Sequence, residues 1–178
     1  MYRGSSFILD KSLKHLESTI IYINELKLNQ DWVWEIDVDK YDKTNIDKII
    51  EIYGKIKKQM IEGKNADVTL VSKIMLGVFG FVPAFDNNFS STFREIYKGD
   101  CGFRSINVKS LNLIKTFYDS NKDVIDYLSN KTKTKDFLTG DETELCYPKA
   151  KIIDMYGFMK GKNSAENNDR RFKLIQTN

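Results

Sequence analysis

The chain has 178 residues, enough for one domain with a core of its own and too few for two independent ones. Hydrophobic residues make up 41% and charged residues 30%, with 11 Phe and 9 Tyr, a composition that excludes a disordered chain. A formal net charge of only +3 excludes a global basic field of the nucleic-acid-binding kind and leaves just a local basic face open.

No apolar run approaches the roughly 20 residues that span a bilayer, and the first residues lack the basic-then-apolar layout of a secretion signal. The expectation is a cytoplasmic protein with no membrane contact. Cys101 and Cys146 form no Cys-x-x-Cys pair, so two free thiols are expected rather than a zinc site or a disulfide framework. No cofactor and no metal are expected.

Taken in order, residues 1–29 open with MYRGSSF and continue as a helix in which Ile8, Leu9, Leu13, Leu16, Ile20, Ile23 and Leu26 follow the helical period, with Ser5 or Ser6 as its cap. His15, the sole histidine, lies on the flank of that helix, where a solvated or hydrogen-bonded role is expected. Residues 31–42 alternate apolar and acidic side chains, which fits either a short strand at 31–41 or a loop that pins Trp32 and Trp34 on the core. Glu35, Asp37 and Asp39 lack the glycine and terminal glutamate of a calcium loop and read as a solvated face. Residues 44–62 form the clearest amphipathic helix, started by Thr44 with Asp47 and broken by Gly63-Lys64-Asn65.

The stretch at 69–89 is the most apolar of the chain. Val68, Leu70, Val71, Ile74, Met75, Val78 and Phe79 predict a core helix that stops near Gly80, with Ser72 and Lys73 as its polar members. Pro83 keeps Val82 out of helical geometry, and Asp86 stands where its carboxylate caps a following helix at 88–97. Residues 98–102 read as a turn without phosphate-loop spacing. A single helix is expected at 108–128, an exposed loop at 130–141, and a last helix at 149–160 that opens after Tyr147-Pro148 and holds Asp154 in its interior. Beyond it the composition turns polar, and Phe172, Leu174 and Ile175 are left to dock as a strand or a binding segment. The fold class is therefore all-α: one compact domain over residues 1–161, a bundle of five to six helices, followed by a polar C-terminal tail at 162–178.

Three segments, MYRGSSF at 1–7, SKIMLGVFGFVPAFDNNF at 72–89 and YPKAKIIDMYGFMKG at 147–161, resemble an uncharacterised bacterial family of all-helical proteins, and the likeness spans nearly the whole chain. In that family the MYRGSS-like segment lies inside the protein after a further helix, so this chain resembles a version lacking that N-terminal part. The resemblance implies a helical fold and no particular activity. Residues 69–89 are also similar, in the order helix, glycine, proline and aspartate, to the catalytic segment of helix-hairpin-helix DNA glycosylases. There the aspartate helps stabilise a cationic transition state, a role that falls by position on Asp86; the glycine-rich hairpin and the catalytic lysine of those enzymes have no counterpart.

Two functions follow as expectations. The first is a non-enzymatic binding or regulatory module of a bacterial or phage-related protein, with a role in phage or host defence, that presents Arg3, Ser5, Lys73, Asp86, Lys151 and Asp154 to a protein or nucleic-acid partner. The second is a DNA- or nucleotide-acting enzyme that uses Asp86 as base or electrostatic stabiliser, with Asp154 beside it. Neutralisation of Asp86 or Asp154 by Arg3 or Lys73 inside the fold is the competing structural role. Nothing in the residues fixes an oligomeric state.

Overall fold

The computed structural model describes residues 11–61 and 68–175, with side chains as far as Asn163. Among the described residues the fold is all-α: seven α-helices carry the core and a single two-stranded antiparallel sheet is appended to it. The helices are α1 (Glu17–Asn29), α2 (Lys43–Met60), α3 (Val68–Val78), α4 (Asn87–Ile96), α5 (Val108–Ser120), α6 (Lys122–Lys131) and α7 (Lys149–Ile175); β1 (Lys133–Lys135) and β2 (Glu142–Cys146) join α6 to α7. None is long and apolar enough to cross a membrane.

Several boundaries differ from the sequence-based expectation. A 3₁₀ turn at Leu13–Leu16 precedes α1. Its three-residue period shifts the helical phase, so α1 turns Thr19 and Leu26 inward while Leu13 and Ile20 face solvent. His15 is held by the Met60 carbonyl, 2.9 Å from Nε2. The segment at 31–41 is no strand: two 3₁₀ turns, Asp31–Glu35 and Val38–Lys40, bury Val33, Ile36 and Val38. Trp34 is pinned, its Nε1–H donating to the Val78 carbonyl (3.0 Å), whereas Trp32 is exposed. The cap of α2 is Asp42, which accepts from Asn45 N, rather than Thr44. The glycine break at 63–65 lies outside the described residues.

The helix expected at 108–128 is two helices. Thr116, Ser120 and Asn121 turn their side chains back onto the carbonyls of Asn112, Thr116 and Phe117. Such local bonds compete with the helical ladder, and the chain breaks at Asn121. The loop expected at 130–141 contains a strand: Lys133 pairs with Cys146 and Lys135 with Glu142, and the Thr134 and Thr143 hydroxyls meet across the ladder. Helix α7 continues to Ile175, well past the expected end at residue 160.

The core is aromatic at one end. Phe85, Phe89, Phe93 and Phe103 pack with ring centroids 4.3–6.0 Å apart, in stacked and edge-on arrangements that add to simple burial. Helix α7 closes over this cluster on α4 at a distance only glycine permits. A Cβ on Gly157 would lie 2.6 Å from the Phe89 ring, and one on Gly161 would lie 2.8 Å from the Asn88 Cα and closer still to the Asn88 carbonyl oxygen. The buried Thr92 hydroxyl donates to the Gly157 carbonyl (2.8 Å) across the same contact.

Candidate functional site

The residues singled out from the sequence converge in part. Between α3 and α4 the chain runs through Phe81, Val82, Pro83, Ala84 and Phe85, all buried. Gly80 ends α3 with φ +76°, and its N–H reaches back to the Met75 and Leu76 carbonyls, an arrangement that a Cβ would strain. A non-helical segment in a core must find partners for its backbone polar groups, and here side chains supply four of them. The Tyr41 hydroxyl donates to the Phe81 carbonyl (2.5 Å), and the Ala84 N–H donates to Asp154 Oδ1 (3.1 Å). The Phe85 N–H donates to Ser72 Oγ (2.8 Å), while the Thr69 hydroxyl donates to the Phe85 carbonyl (3.0 Å). Ser72 is thus a buried working residue, not a polar flank.

Asp86 and Asp154 both serve this joint. Asp86 caps α4, accepting the Phe89 N–H at 2.9 Å. Asp154 is only 8% exposed; beside the Ala84 amide it accepts the Lys151 ammonium at 2.8 Å, so its ion-pair partner among the described residues is Lys151. Lys73 is half-buried on α3 and engaged within the protein. Arg3 and Ser5 lie outside the described residues. Each carboxylate in the shared neighbourhood therefore has a structural task, which is the role of caps and of paired buried charges.

The cap role of Asp86 gives a direct check. Asn caps as well as Asp, whereas Ala removes the acceptor. Asp86→Asn is expected to leave stability nearly unchanged, and Asp86→Ala to lower it by about 1 kcal/mol, both measured by urea denaturation.

Asp37, which the sequence places on a solvated face, has a structural role for which there was no local signal. Asp37 accepts from the Lys149 N–H (2.7 Å) and the Ala150 N–H (3.0 Å), which makes it the anion at the N-terminus of α7, and from Val38 N (2.7 Å). It is half-buried rather than solvated, and burial pushes its carboxyl above the ordinary aspartate value despite these amides and the nearby Lys149 charge. A carboxylate at a helix start is favoured by the exposed amides and the helix dipole.

Beside Asp37 a polar cleft of about 420 Å³ opens between α5, α6 and the start of α7. Its cations are already matched: Lys115 with Asp119 (2.5 Å), Lys122 with Asp126 (3.1 Å) and Lys149 with Asp39 (3.1 Å). Tyr118 donates to Asp126 at 2.9 Å, and burial together with that carboxylate holds its phenol protonated. A cleft whose lysines are each paired with a carboxylate offers little to a phosphate.

The second cleft is of the opposite kind. On the far side of α6 and α7, Leu128, Ile152, Met155, Tyr156 and Met159 line an apolar groove of about 550 Å³, rimmed by Thr132, Lys160 and Asn163. Gly157 and Gly161 hold one face of α7 on α4, so Met155, Tyr156 and Met159 fall on the outer face. They are 42%, 42% and 56% exposed. The 3.6-residue period places these side chains on a single stripe of the helix, and only the neighbouring helix decides whether that stripe is covered.

The molecule is thus an all-helical body with a closed polar joint and an open apolar groove. No family model, no curated protein and no solved structure matches the chain.

Proposed function

We propose that the chain is a non-enzymatic binding module whose partner is a protein, held in the groove between α6 and α7. The observation that supports this reading is the exposure of Met155, Tyr156 and Met159 as one continuous face beside Leu128 and Ile152. Methionine and aromatic side chains adapt to apolar anchors and recur on surfaces that receive helices or loops. Lys160 is the single charged residue of the lining among the described residues. The partner is therefore an apolar segment with acidic flanks. An enzymatic reading through Asp86 has less support, because its carboxylate is committed to the α4 cap and Asp154 to the Ala84 amide.

Peptides selected from a random display library against the protein are expected to carry apolar anchors next to Asp or Glu. Met159→Asp should weaken them at least about tenfold, roughly 1.4 kcal/mol. Selected peptides that bind Met159→Asp as tightly as the parent protein would sink the reading. So would salt-dependent DNA or RNA binding that outcompetes them, since that signature belongs to phosphate contacts.

A further inference from the structure

The hairpin between α6 and α7 carries what the groove lacks. Its tip exposes Phe137 at 97% and Leu138 at 89%, the two most exposed large apolar side chains of the described residues. The tip is organised by hydrogen bonds. Asp136 Oδ1 accepts from the Leu138 and Thr139 amides, both at 2.9 Å, the Asp136 N–H donates to the Asp141 carbonyl (2.8 Å), and Gly140 turns the chain at φ +76° while its N–H returns to the Asp136 carbonyl (3.0 Å). Two adjacent apolar side chains held out in water by a built turn act as anchors, because burying them is favourable and little order remains to be imposed.

Charge points the same way. Asp136 and Asp141 flank the two anchors, and the Thr139 and Leu138 amides hold the Asp136 carboxyl below its ordinary value, so it stays ionised. Among the described residues the groove's lining carries Lys160, which lies over the Tyr156 ring, and no carboxylate. Knob and groove are thus complementary in polarity and in sign, and the knob of a chain does not fill its own groove, since both are exposed in the same molecule.

Resting on the reading of the groove as a docking surface, we infer that its occupant is the Phe137-Leu138 tip of a second copy of this chain. The hairpin begins two residues after α6 ends and finishes three residues before α7 begins, so it adjoins the two helices that form the groove. A two-fold arrangement then lets each copy give its tip and receive the other's, using one self-complementary patch twice.

Sedimentation equilibrium of the full chain tests this. The parent protein is expected to be a dimer, and Phe137→Asp and Met159→Asp are each expected to be monomeric with unchanged helical circular dichroism. Both side chains are exposed, and Leu138→Ser and Met155→Ser serve as milder variants of knob and groove if either aspartate disturbs folding. An equimolar mixture of Phe137→Asp and Met159→Asp should recover a heterodimer weaker than the parent dimer, because one knob and one groove remain intact. A parent protein that stays monomeric at its highest soluble concentration overturns self-docking, as does a dimer that survives either substitution. A monomeric protein that still yields Met159-dependent peptides loses only the second copy as occupant. A dimer lost in Phe137→Asp but indifferent to Met159, Met155 and the selected peptides places the knob elsewhere and removes the groove reading itself.

Discussion

Gly161→Ala is expected to destabilise the protein by about 1–3 kcal/mol, the range for forcing atoms into a filled interface, although alanine is the better helix former by roughly 1 kcal/mol. The contest is decided by what the new Cβ meets. At Gly161 it would stand 2.8 Å from both the Asn88 Cα and the Asn88 carbonyl carbon, which are backbone atoms of α4 and cannot rotate away. Helix α7 would have to lift off α4, loosening the aromatic cluster and the Thr92 hydrogen bond to the Gly157 carbonyl. Gly54 is the control. It lies in α2 with nothing within 4 Å of the place a Cβ would take, so Gly54→Ala should raise stability by about 0.5–1 kcal/mol through backbone entropy alone. Urea denaturation of both variants checks the opposite signs; a Gly161→Ala protein as stable as its parent would mean that the α4/α7 contact is looser than described.

The second large effect belongs to Asp37. Asp37→Ala removes the acceptor of the Lys149 and Ala150 amides, and Ala150 is fully buried. Unsatisfied buried donors cost about 1–3 kcal/mol each, so a loss of about 2–4 kcal/mol is expected, with fraying of the first turn of α7. The pH dependence has a definite sign. Burial raises the Asp37 pKa in the folded protein above the ordinary aspartate value, so across that window the folded state binds more protons than the unfolded one. Stability gained from this group is full below the ordinary value and declines as pH rises through the folded pKa. Measured against Asp37→Asn, which does not titrate, the parent protein should therefore lose relative stability with rising pH through this range and change no further above it. A relative gain over the same range would show that the three amides outweigh burial.

How much of this was legible in the sequence depends on the range of each interaction. The helical class, the stop at Gly80 and the Asp86 cap are written in residues a few positions apart, and they stand as read. Asp37 was not legible, because the amides it serves lie 112 and 113 residues further on. The break at Asn121 left only a run of Asp, Ser and Asn as its trace, a signal that the apolar period on either side concealed. The strands of the hairpin were hidden by composition. With lysines and threonines alternating on β1 and acids on β2, neither face is apolar, so the usual two-residue alternation of burial is missing. Of the predicted site, Lys151 and Asp154 meet and Asp86 stands on the same joint, but as structural members. The groove escaped notice because periodicity reports that a stripe of α7 is apolar and not whether another element covers it.

The long reach of Asp37 bears on how the chain is made. A ribosome delivers residues 31–41 well before Lys149 exists, so the segment that shelters the carboxylate is complete in sequence long before its partners appear. Closing a contact of that separation carries a loop entropy that local helices do not. The same holds for the Ala84 amide, whose acceptor Asp154 comes 70 residues later. The residues ahead of α7 can form helices during synthesis, and Tyr41, Ser72 and Thr69 can already serve the segment at 81–85, but the Asp37 carboxylate and the Ala84 amide lack their α7 partners until that helix arrives. These long-range contacts, and the packing of α7 on α4, therefore close last, after α7 has been made.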